Sequence, residues 1–162
     1  MSREEPIVER TAFLLSKLGQ AVTNRFADRL VPLGLRPRHC AVLELLRGTP
    51  MTQLDLARNI GVTPSVVVDM LDEMEGLDAV RRVRDTADRR RQLVELTPEG
   101  TRLGRRARQL ARQLDAELLR GLEPDRAEAL RDTLRQLATA EMITVGSRTA
   151  PAPATGSAKR SR

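Results

Sequence analysis

One glycine, Gly61, constrains the chain more than any other residue. It separates a short amphipathic run ending at Ile60 from a second that opens at Thr63-Pro64. Thr52 suits an N-cap of the first run, with Asp55 three residues on able to reach back, as in a capping box. Gln53, Leu56, Ala57 and Ile60 share one face. Thr63 suits the N-cap of the second run, and Pro64 fits its first turn. There Val67, Met70, Leu71 and Met74 follow the i, i+3, i+4, i+7 spacing of a buried stripe. With that stripe inward, Ser65, Val68, Asp69 and Asp72 face outward. Helix, tight turn, helix is the helix-turn-helix arrangement, whose second helix enters the DNA major groove.

The period changes after Asp78. VRRVRD (80–85) and QLVEL (92–96) are short and rich in β-formers, so they predict a hairpin. Placed directly behind a helix-turn-helix, a hairpin is a wing. Its arginines stand at 81, 82, 84, 89, 90 and 91, with Asp85 and Asp88 offsetting two of them. An arginine-bearing hairpin tip suits a minor groove, where a narrow groove deepens the negative potential. Base stacking on single strands is disfavoured, because the chain has two Phe and no Trp or Tyr.

The flanking segments read as helices. Leu14, Leu18, Val22, Phe26 and Leu30 mark one face between Pro6 and Val31, and PLGL (32–35) breaks it. Pro37 opens a helix burying Val42, Leu43 and Leu46, ended by Gly48 and Pro50. Thr97-Pro98 starts a long helix with a seam of Leu103, Ala107, Leu110, Leu114 and Leu118. Pro124 starts a last one with Ala127, Leu130, Leu134 and Leu137 inward. These leucine seams exceed what a small monomer core covers, which predicts a two-fold homodimer. Leu14, Leu18, Leu114, Leu118, Leu130 and Leu134 are the expected dimer contacts. The fold class is mainly α: a winged helix-turn-helix with long N- and C-terminal dimerisation helices, six helices and one β-hairpin wing in all. The expected division is 1–34 for N-terminal dimerisation, 35–97 for DNA binding, 98–145 for C-terminal dimerisation, and 146–162 as a disordered basic tail. That tail supplies +4 of the net +6 charge, so bulk charge says little about partners.

Several classes find no support. No apolar run is long enough for a membrane span and no signal-peptide pattern is present, so a cytoplasmic location is expected. The single cysteine, Cys40, allows no intrachain disulfide, and Cys40 with the single histidine, His39, cannot supply about four zinc ligands. No nucleophile–base–orienter set and no phosphate-cradling glycine loop marks an enzyme, and no cofactor is implied.

Three stretches, LGLRPRHCAVLELL (33–46), MTQLDLARNIGVTPSVVVDMLDEME (51–75) and RDTADRRRQLVELTPEG (84–100), resemble the MarR family of bacterial transcription regulators. The last is the most specific, since the family's wing commonly reads D-P-x-D-R-R before a strand and L-T-x-x-G. The resemblance implies a homodimer clasped by its first and last helices, binding palindromic double-stranded operators and usually repressing. It also implies release by a small, often phenolic, effector in a cleft between dimer and DNA-binding regions; other members respond to cysteine oxidation. On this pattern Thr63, Ser65, Val68 and Asp69 face DNA. Asp88 steadies the wing by pairing with an arginine, Arg89 or Arg90 enters the minor groove, and Arg84 and Arg91 meet phosphate.

Departures from the pattern are informative. The family often has Thr and Arg where this chain has Val66, Val68, Asp69 and Glu73. Three roles are open to the acids: Asp69 accepts from a cytosine amino group while Val68 touches a thymine methyl, or neighbouring arginines hold the acids, or the helix reads weakly and the wing supplies affinity. The second role fits Asp72 best, and the sequence does not choose for Asp69. Asp78 stands where the family usually has a glycine, which predicts a left-handed backbone there. Cys40 is either a redox sensor, its pKa lowered by Arg38 and a helix start, or a small buried thiol, and with His39 it is a candidate effector-binding residue. His39 is either an effector ligand for a carboxylate or phenolate, a group titrating near neutral pH, or a plain surface or capping histidine. The arginines at 102, 105, 106, 108 and 112 either meet anions or form a solvated face. The competing readings of the whole chain are a winged-helix protein-interaction module and a regulator switched through Cys40.

Overall fold

The computed structural model describes residues 6–140; the basic tail from Gly146 lies outside the described residues. After a 3-10 turn at Ile7–Glu9 come α1 (Thr11–Leu30), α2 (Pro37–Leu45), α3 (Gln53–Ile60) and α4 (Pro64–Gly76). An antiparallel hairpin follows, β1 (Val80–Arg84) and β2 (Gln92–Leu96), and then α5 (Pro98–Leu118) and α6 (Pro124–Ala140). Val80 pairs with Leu96 and Arg84 with Gln92, so β1 ends one residue before Asp85 and β2 has the expected bounds. No described helix is long and apolar enough to cross a membrane.

The core sits where the helical stripes converge. Val42, Leu43 and Leu46 of the α2 segment, Leu56 and Ala57 of α3, and Val67, Met70, Leu71 and Met74 of α4 are all buried. Leu30, Leu103 and Ala107 bring α1 and α5 into the same cluster. Backbone amides tie the hairpin to this body. Met51, just before α3, exchanges two hydrogen bonds with Val94 of β2, at 3.0 and 2.8 Å. Thr97 caps α5 by accepting from the Gly100 N–H at 2.9 Å, and its hydroxyl donates to the Asp78 carbonyl. A Cβ on Gly100 would overlap the Ala79 carbonyl oxygen, so only glycine lets α5 approach the hairpin base this closely.

The end of α4 explains Asp78. Its N–H donates to Glu75 O at 2.9 Å, and the Ala79 N–H donates to Met74 O at 2.8 Å. That pair of bonds is a Schellman closure, which needs a left-handed residue between them. Asp78 takes it, with φ 54°, the one positive-φ residue other than glycine among the described residues.

The terminal helices behave differently from their reading as inward seams. Leu114 is buried inside the subunit, which corrects its assignment as a dimer contact. The α5 helix packs on α1, and Leu114 lines a cavity there with Val22 and Phe26. Leu14, Leu18, Leu118, Leu130 and Leu134 are between 38% and 56% exposed, and Leu137 is exposed with them. Within α6 only Ala127 is buried; Leu130, Leu134 and Leu137 do not turn inward in the subunit. Ile7 and Val8, before α1, are exposed as well.

Candidate nucleic-acid interface

The local fold of α4 presents Thr63, Ser65, Val66, Val68 and Asp69 to solvent. Thr63 holds the N-cap position, but its side chain caps no backbone amide; its hydroxyl lies 3.0 Å from that of Ser65. The expected capping bond is thus replaced by a hydroxyl pair at the exposed tip. Thr52 does cap α3, accepting from the Asp55 N–H at 3.1 Å, while its own hydroxyl donates to the Asp55 carboxylate at 2.6 Å. Asp55 therefore reaches the Thr52 side chain and not its backbone.

The acids of α4 are mostly neutralised, on two sides. Toward the wing, Arg82 donates to Asp72 at 2.7 Å and also to Glu75. The Arg82 side chain is only 18% exposed, while the Asp72 side chain it meets is 60% exposed and that of Glu75 34%. Toward α2, Glu73 takes Arg38 at 2.5 Å, Arg36 at 3.2 Å and His39 Nε2 at 2.8 Å. The Arg38 bond, first of all, holds the Glu73 carboxyl below the usual range, with His39 and Arg36 adding to it.

His39 is 1% exposed, and both ring nitrogens are engaged. The Arg36 N–H donates to Nδ1 at 3.2 Å, so the imidazole caps the backbone at the start of α2. The ring proton therefore sits on Nε2, where it is donated to Glu73. Protonating Nδ1 would set two donors against each other inside a buried site. Burial, above all, depresses the His39 pKa despite the favourable pull of Glu73. The assignment of His39 as an effector ligand is corrected: it is a capping histidine with no free ring nitrogen.

Cys40 is half-buried, and its thiol is pushed up to about 11 by burial and then by the Glu44 charge. The balance is upward, opposite to the lowering expected from Arg38 and the helix start. A thiol so protonated lacks the nucleophilic form that oxidation needs, which removes support from a Cys40 redox switch. The thiol instead borders an apolar cavity of about 160 Å³ with Phe26, Leu43, Ala107 and Ala111, with Glu44 and Arg108 also in its lining. A neighbouring cavity of about 240 Å³ shares Phe26 and Ala111 and adds Val22, Leu114 and Leu118. Arg108 donates to Glu44 at 2.8 Å beside the first cavity.

The hairpin sorts its arginines. Arg81 pairs with Glu95 across the strands at 2.6 Å, and Arg82 is taken by the acids of α4. Arg84, Arg89, Arg90 and Arg91 are exposed and have no acidic partner among the described residues. The aspartates that would have offset them are turned to the backbone. Asp85 accepts from the Ala87 N–H at 2.8 Å, and Asp88 accepts from the Arg90 N–H at 3.0 Å. Asp88 thus steadies the loop through a main-chain amide, not through the arginine side chain expected for it. The loop closes with Asp85 N–H on Arg91 O and Arg91 N–H on Asp88 O. Along α5, Arg102 is held by Glu99 and Arg108 by Glu44, whereas Arg105 and Arg112 are exposed.

The clamp of Glu73 by Arg36, Arg38 and His39 does not follow from the sequence patterns. Its sequence signal is faint: a histidine three residues behind an N-cap Arg36, and an acid on the inner edge of α4.

A helix-turn-helix, an antiparallel hairpin behind it and an unpaired cationic tip define a winged-helix protein of the DNA-binding type. The MarR family model matches residues 37–91. A MarR-family transcriptional regulator from Rhodococcus sp. RHA1 is 31% identical, with a TM-score of 0.73 over 85% of this chain and 98% of its own. The chain belongs to the MarR family of transcriptional regulators. CouR from Rhodococcus jostii RHA1, solved with p-coumaroyl-CoA, is 32% identical with a TM-score of 0.71, covering 83% of this chain and 96% of its own. CouR bound to a 23-mer DNA duplex gives a TM-score of 0.73 at 29% identity, over 83% and 99% of the two chains. An HTH-type transcriptional repressor of Mycobacterium tuberculosis is 29% identical over 77% of this chain and 91% of its own.

Proposed function

We propose that this regulator is a homodimeric repressor that binds a palindromic double-stranded operator through α4 and the wing. The observation that carries the reading is the wing tip, where four arginines stand without acidic partners among the described residues, beside the exposed face of α4. Arg89 or Arg90 enters the minor groove, and Arg84 and Arg91 meet phosphate on either side. Thr63, Ser65, Val68 and Asp69 lie toward the major groove. The DNA-bound form of CouR supports this use of the fold. Residues 35–97 carry the DNA contacts, and 1–34 with 98–145 the dimer contacts.

The dimer rests on the exposed leucines. Leu14 and Leu18 on α1 and Leu130 and Leu134 on α6 repeat at helical spacing, with Leu118 at the end of α5, too regularly for scattered surface residues. A second copy covers them by two-fold symmetry. The paired cavities around Phe26 and Ala111 lie between α1, α2 and α5, and they suit a small apolar effector whose entry shifts the DNA-binding parts. The ligand-bound form of CouR supports a release mechanism of this kind.

Fluorescence anisotropy tests the reading, using the DNA flanking this protein's own gene against scrambled DNA of equal length. Tighter binding to the flanking DNA, lost together with the dimer in Leu14→Glu/Leu18→Glu, is the expected outcome. Equal binding to both duplexes would contradict operator recognition, and a monomer at micromolar concentration by sedimentation would contradict the dimer.

A further inference from the structure

α4 contains no lysine or arginine, yet it carries Asp69, Asp72, Glu73 and Glu75. Three of these carboxylates are accounted for: Asp72 and Glu75 by Arg82, and Glu73 by Arg36, Arg38 and His39. Asp69 alone has no hydrogen-bonding or ionic partner among the described residues. It is exposed, one turn beyond Ser65 and next to Val68, whose side chain is also exposed. The rest of the helix conceals its negative charge, while this position displays it on the outward face.

A displayed carboxylate is repelled by phosphates, so on DNA it is tolerated only over a hydrogen-bond donor. Ionised carboxylate is acceptor-only. In the major groove, guanine offers N7 and O6 and thymine offers O4, all acceptors; adenine sets its amino donor beside the N7 acceptor. Cytosine alone presents a donor without an adjacent acceptor of its own. Val68, the preceding residue on the helix and apolar, suits the methyl group of a thymine.

We infer that Asp69 is a specificity-determining residue, accepting a hydrogen bond from a cytosine N4 amino group in each operator half-site, with Val68 against a neighbouring thymine methyl. This rests on the operator-binding reading above. Asp69 makes no polar contact inside the subunit among the described residues, so its replacement removes base selection without loosening the fold. Asp72, Glu73 and Glu75 are excluded from base reading because their carboxylates are already taken.

The test is selection of bound duplexes from a randomised pool, followed by sequencing, with the full chain as wild type, Asp69→Ala and Asp69→Asn. Wild type should enrich a palindrome containing a fixed C·G pair in each half. Replacing that pair by T·A should weaken wild type about tenfold and Asp69→Ala far less. Asp69→Asn, which both donates and accepts, should move the preference toward adenine. Thermal melts of both variants matching wild type would show that the fold is kept. The same C·G preference in Asp69→Ala would overturn the assignment, and so would an adenine at the Asp69-dependent position of wild type. A wild type that enriches no motif would instead remove the operator-binding reading beneath it, an outcome distinct from a motif indifferent to Asp69.

Discussion

The two charged surfaces of the winged helix obey different rules. On α4, three of the four carboxylates meet cations from the α2 segment and β1, and only Asp69 is left over. At the wing tip, two aspartates stand beside four arginines and neutralise none through their side chains, because their oxygens accept from backbone amides. The helix is acidic by composition and nearly silent electrically. The wing is half-compensated along the sequence and yet left cationic at its tip. What matters for a polyanionic partner is which charges remain unpaired after folding, not the count along the chain.

The largest expected contrast is between arginines a few residues apart. Arg89→Ala/Arg90→Ala should weaken operator binding roughly 10- to 100-fold at moderate salt. Arg81→Ala, which removes a group already paired with Glu95, should leave affinity within about twofold. Equal losses in the two variants would erase the distinction between paired and free arginines.

Next comes the bridge between helix and wing. Arg82→Ala leaves Asp72 and Glu75 without their shared donor. It should destabilise the fold by about 1–2 kcal/mol, measured by urea unfolding, and should weaken DNA binding by exposing acid on the reading helix. Unchanged binding would mean that the acids of α4 do not matter to DNA.

Acid should act on the other clamp. His39 titrates lower in the folded chain than its ordinary 6.5, so below that pH the unfolded state takes up the proton first. Stability should therefore fall as pH drops from about 6.5 through the depressed value. Glu73 adds a second loss below its ordinary 4.5, since its folded pKa is also lowered. Thermal melts across roughly pH 7 to 4 should show the first loss in wild type and a reduced one in His39→Gln. A profile identical in both would show that the clamp does not sense protons.

The smallest effect is at Asp78. Asp78→Gly relieves a left-handed residue at φ 54° and should change stability by no more than about 1 kcal/mol, in the stabilising direction. A loss of that size would mean that the Asp78 side chain has a role beyond its backbone.

Most of the architecture was legible because it is carried by local signals. Pro37, Pro64, Pro98 and Pro124 mark helix starts at the residues where the helices begin, since proline at the first turn gives up no hydrogen bond. The buried stripe of α4 follows from helical spacing, and the hairpin from two β-rich runs around a turn. What depended on distant partners was less legible. Leu114 and Leu118 share one seam, but only Leu114 is buried within the subunit; periodicity fixes a face and not what covers it. Glu73 reaches residues 34 to 37 positions away, a separation over which sequence spacing carries no geometry. Asp88 was expected to pair with a side chain, yet loop closure brought an amide nearer.

The most direct measurement is the salt dependence of binding to the gene-flanking DNA, for wild type, Arg89→Ala/Arg90→Ala and Arg81→Ala. The plot of log affinity against log salt should lose about 1–2 of its slope in the wing-tip double variant, while Arg81→Ala keeps the wild-type slope. Identical slopes in all three would contradict the claim that unpaired wing-tip arginines carry this regulator's hold on DNA.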